Sequence, residues 1–116
     1  MLNRAALLLK YKEPAVRWIN EADPYPDGKI LTIEDVNRER TVYLISDADA
    51  GTDDDVRRWV EANFLSLWEW ELEGWYTDER LWPTDQTLNQ FDEWFDVEYH
   101  TVLIDTVDGP LMDDEV

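Results

Sequence analysis

Two short patterns hold the residue types that could do chemistry: Glu98-x-His100, and Asp47, Asp49 and Asp53 within DADAGTDDD. A histidine beside a carboxylate can act as a general base, and alternate residues of an extended segment share a side. The aspartates offer hard oxygen ligands to calcium or magnesium, with Gly51 allowing a sharp turn. Each has a plainer reading. Counted from Asp47, the calcium-loop pattern meets Gly51 at its fifth place, Thr52 at its sixth and Arg58 at its twelfth, so it fails at each. The aspartates then serve a strand-to-helix loop, where they complement the positive end of a helix dipole.

One histidine and no cysteine exclude sites of several imidazoles or thiolates. Four glycines build no phosphate loop, and no serine has a triad around it. Paired acids in a tryptophan-rich chain suggest a glycosidase. With 28 acids, however, some pair falls at any chosen distance by chance. No catalytic residue and no cofactor follow from these patterns. A small hydrolase using Glu98 and His100, or a metal at Asp47, Asp49 and Asp53, stands only as an alternative.

The elements that would position such groups are read from periodicity. Residues 3–11 (NRAALLLKY) form a buried strand, and Pro14 opens a helix over 13–22. Residues 23–29 are turn-rich, and Thr32 caps a single helical turn. RTVYLIS (40–46) is the clearest strand, rich in β-branched and aromatic residues and expected at the centre of the sheet, covered on both faces. Thr52 then starts a helix that runs to a glycine stop at Gly74. Residues 77–83 form a capped turn, Thr87 caps a helix over 88–96, and 97–106 form the third strand. This is a mixed α+β domain, order β-α-β-α-α-β. Its small sheet of about three strands is covered by one long helix and two shorter ones. It occupies residues 1–108, and the acidic tail 109–116 is expected to fray.

The long helix raises the functional question. Its apolar residues span an arc of roughly 240°, against the ~100° or more that a one-sided surface helix requires. It must be buried on two sides or leave a face spare. Glu71 projects at the middle of that arc. A carboxylate there is paired, with Arg57 or Arg80 as candidates, or protonated, or set at an opening, and the helix end or an interface rim is its expected place.

Net charge is −18, and residues 1–45 balance seven acids with seven bases. All of the excess therefore lies in residues 46–116. That excess opposes direct binding to nucleic acid or anionic membrane surfaces, and no apolar run approaches the ~20 residues of a membrane span. The chain reads as a cytoplasmic, non-enzymatic module that engages a basic partner surface, with nucleic-acid charge mimicry as one form of it. Contact is expected at Glu69, Trp70, Glu71, Glu73 and Trp75 on the long helix and at Asp92, Glu93 and Asp96 on the next. A salt-adapted domain that self-associates through the surplus apolar arc is the alternative.

Overall fold

The structure is a computed structural model that describes residues 1–114. It is a mixed α+β fold: a three-stranded antiparallel sheet with four helices, 46% helical. Strand β1 (Arg4–Tyr11) leads into α1 (Glu13–Ala22), and α2 (Ile33–Asn37) precedes β2 (Tyr43–Ser46). The long α3 (Asp53–Trp75) follows, then α4 (Leu88–Trp94), which passes directly into β3 (Phe95–His100).

The sheet order is β2-β1-β3. The expected central strand is thus an edge strand, and β1 holds the middle. Burial gives the reason. Ala5, Leu7, Leu9 and Tyr11 on one face of β1 are buried, and Ala6 on the other face is buried as well. In β2 only Ile45 is buried, and Leu44 is 51% exposed. An apolar run therefore did not mean two covered faces. Leu44 lies opposite Ala6 on the side that the buried odd-numbered residues of β1 face away from.

The third strand also differs. Phe95, expected in the helix, is already extended, because Phe95 pairs with Tyr11 in the β1–β3 ladder. The strand ends at His100, opposite Ala6. Beyond it, a backbone hydrogen bond from Leu2 N to Leu103 O (2.8 Å) continues the contact without strand geometry. Residues 109–114 form neither helix nor strand, and Glu115 and Val116 of the expected tail lie outside the described residues.

Helix α3 is unbroken, and the Thr52 hydroxyl accepts from Asp55 N (3.1 Å) at its start. It runs through Gly74, which does not adopt the left-handed conformation of a glycine stop. The end comes at Tyr76, whose extended backbone cannot continue the helix and whose N–H bonds back to Leu72 O (2.9 Å). Leu67, Trp68 and Leu72 are fully buried, each contributing about 1.5–3 kcal/mol of transfer free energy. Trp68 sits among Phe91, Trp94 and Phe95, with centroid distances of 5.8, 5.3 and 6.3 Å. Its indole N–H has no hydrogen-bond partner among the described residues. The wide apolar arc spills out at both margins: Trp70 is 58% exposed on one flank and Leu65 is exposed on the other.

Candidate functional site

Glu71 is the buried charged residue of the fold, at 9% exposure. Neither expected arginine reaches it. Arg57 makes a fork to Asp92 (2.8 and 2.7 Å) and also bonds Glu61, while Arg80 folds onto Asp78. Instead, the Tyr11 hydroxyl donates to Glu71 Oε1 (2.6 Å) and the Tyr43 hydroxyl donates to Oε2. The Trp75 indole N–H donates to the Tyr11 hydroxyl oxygen (3.0 Å), extending the network by one step.

Each member has a structural reason for its place. Tyr11 ends β1 on the buried face, and Asn37 of α2 fixes its backbone. Tyr11 N donates to Asn37 Oδ1 (2.8 Å), and Asn37 Nδ2 donates to Tyr11 O (3.0 Å). Tyr43 opens β2 opposite Leu7. Glu71, Gly74 and Trp75 occupy the last turns of α3, where i, i+3 and i+4 positions share one side. Both phenols are held above the ordinary tyrosine range. Burial is the main cause for each, and the Glu71 carboxylate reinforces it.

A cavity of about 170 Å³ opens beside this network, lined by Tyr11, Glu39, Thr41, Trp70, Glu71 and Trp75 among others. Its volume lies well below the ~300–1,000 Å³ of pockets for drug-sized ligands. Among the described residues no ion pair involves Glu71 or Glu39. The cations next in sequence to lining residues Tyr11 and Glu39 are committed elsewhere: Lys12 to Asp96 (3.2 Å), Arg38 to Asp35 (3.3 Å) and Arg40 to Glu98 (3.5 Å). A larger hollow of about 780 Å³ lies between α1 and the loop before α2, but the buried carboxylate does not line it.

The residues expected to make contact differ in exposure. Glu69, Trp70 and Glu73 are exposed at the end of α3, and Trp75 is half-buried against Tyr11. Glu71 lies beneath them and not on the surface. Asp92 of α4 is engaged by Arg57, and Asp96, which lies in β3 and not on the helix, by Lys12, leaving Glu93 exposed without either tie. Tyr11, Tyr43, Glu39 and Thr41 were missed. Tyr11 looked like a core residue of a strand, and nothing local links it to a glutamate sixty residues away.

The other candidates are placed as follows. His100 Nε2 lies 3.0 Å from Glu98 Oε2, with both side chains substantially exposed. The nearest β2 serine, Ser46, pairs with Arg4, two rows from His100 and across β1. Asp47 and Asp49 lie in a short 3₁₀ turn that Ser46 caps, while Asp53 accepts from the Tyr99 hydroxyl. Among the described residues no group of three or more His, Asp and Glu side chains could hold a metal ion, so the Asp47, Asp49 and Asp53 set is not assembled. No described helix is long and apolar enough to cross a membrane. No protein family, curated protein or solved structure matches the chain.

Proposed function

We propose that this protein is a binding module for a basic protein surface, with the C-terminal end of α3 as its contact face. The supporting observation is Trp70. A large aromatic side chain stands 58% exposed on a rigid helix, stacked on Tyr43 with ring centroids 5.7 Å apart and planes inclined by 22°. Glu69 and Glu73 flank it in the sequence and are exposed. Tryptophan is enriched among the residues that dominate binding energies. A side chain already held in place loses less conformational entropy on binding.

Charge supports a basic partner but argues against a general copy of DNA. Spread over 8226 Å², a net charge of −18 is about one charge per 460 Å², whereas a DNA cylinder carries roughly one per 110 Å². An aromatic anchor with acids around it needs no such density.

The test is retention of proteins from a lysate on immobilised wild type and on Trp70→Ala and Glu69→Gln/Glu73→Gln variants, at low and high salt. Basic proteins retained by wild type, released by salt and lost by Trp70→Ala are the expected result. Equal retention by wild type and both variants overturns the reading.

A further inference from the structure

We infer that the cavity beneath Trp70 is a receptor for a single guanidinium group, the head of an arginine side chain on the partner. This deepens the binding-module reading and rests on it.

Three observations converge. First, Glu71 is a buried carboxylate whose side-chain partners among the described residues are the two phenols, with no cation of those residues against it. A carboxylate has about four acceptor positions, and two hydroxyl donors leave it able to accept more. Glu39 at the same cavity is also without an ion pair among the described residues. Second, three of the eight residues lining the space, Trp70, Trp75 and Tyr11, are aromatic. A guanidinium stacks on aromatic faces and donates to carboxylates in its own plane, which an ammonium does not do. The volume of about 170 Å³ suits one head group and not a whole ligand.

Third, Gly74 lines this cavity. Its backbone is not left-handed, and a Cβ there would meet nothing within 4 Å. Packing inside the protein therefore does not call for glycine, although glycine in a helix is destabilising relative to alanine. Gly74 is exposed at the edge of this cavity, and a long side chain there could reach over the opening.

The experiment titrates the whole protein with N-acetyl-arginine amide, its neutral isostere N-acetyl-citrulline amide, and N-acetyl-lysine amide. Binding is read from the indole N–H signals of Trp70 and Trp75. Saturable binding by the arginine compound, on the order of millimolar, is expected, with citrulline and lysine about tenfold weaker. Gly74→Leu should lower arginine binding by a similar factor while keeping the native amide spectrum. Glu39→Gln is the milder rim variant, and it should weaken binding severalfold.

Citrulline binding as tightly as arginine overturns the proposal, as does lysine binding equally well. Unchanged affinity in Gly74→Leu overturns it too. Failure here is distinct from failure of the broader reading. If Gly74→Leu retains basic proteins from lysate as wild type does, only the arginine pocket is lost. If arginine amide binds while no basic protein is retained, the broader reading fails and the pocket stands.

Discussion

Trp70 stacks on the ring of Tyr43, and the hydroxyl of that same Tyr43 donates to the buried carboxylate of Glu71. The exposed aromatic and the buried charge are thus joined through Tyr43, which ties α3 to the edge strand β2. The two hydroxyl bonds to Glu71 differ in cost when removed. Tyr11→Phe strips Glu71 Oε1 of its donor and leaves the Trp75 indole N–H without its acceptor, at a fully packed position. Tyr43→Phe removes one bond at a half-buried position. Urea denaturation should show a loss of about 2–4 kcal/mol for Tyr11→Phe and about 1–2 kcal/mol for Tyr43→Phe. The reverse order would mean that Tyr11 does not carry the network.

Alkali should unfold this protein early. Tyr11 and Tyr43 both have folded pKa values raised above the ordinary value of 10. The folded state therefore keeps protons that the unfolded state releases once pH exceeds about 10. The stability these phenols contribute is complete below that pH and falls as pH climbs toward the raised folded values. Melting temperature measured from pH 8 to 12 should decline, and phenolate absorbance from these two rings should appear only with unfolding. In a Tyr11→Phe/Tyr43→Phe protein the alkaline slope should shrink by about one to two protons. An unchanged slope would contradict the assignment.

Gly74→Ala should stabilise the protein. The added methyl meets nothing, and the helix is regular there. A gain of up to about 0.5–1 kcal/mol is expected by thermal denaturation, toward the low end because the helix finishes one residue later. Destabilisation would show that glycine is required by the fold, which would remove one support of the arginine pocket.

Asp92→Asn should cost about 0.5–1 kcal/mol, since the Arg57 fork is well formed but both side chains are partly exposed. The loss should be smaller at high salt. Urea titrations at two ionic strengths measure it, and a cost that does not change with salt would rule out a mainly ionic origin.

Salt by itself should stabilise wild type modestly. A charge of −18 repels itself, and the Debye length shrinks from about 30 Å at 0.01 M to 8 Å at 0.15 M. A gain complete by physiological salt fits a charge used for contact. A steep rise that continues to molar salt would favour the salt-adapted alternative.

Much of this was written in local sequence. The three- and four-residue recurrence from Val56 to Trp75 marked α3, Thr52 marked its start, and the chain order of strands and helices followed from apolar periodicity and turn residues. The excess apolar arc and the exposed Trp70 followed from the helix alone, because helical angles are set by spacing. What tertiary structure decided was which side chains from distant segments meet. β1 became the central strand because both neighbours pair with it, a matter of partners that a strand's own residues do not record. Glu71 found Tyr11 and Tyr43 in place of Arg57 and Arg80, since hydrogen bonds across the fold depend on the register of α3 over the sheet. The cavity exists only because α2, the end of β1, the segment before β2 and the last turns of α3 converge there, and no short window of sequence contains all four.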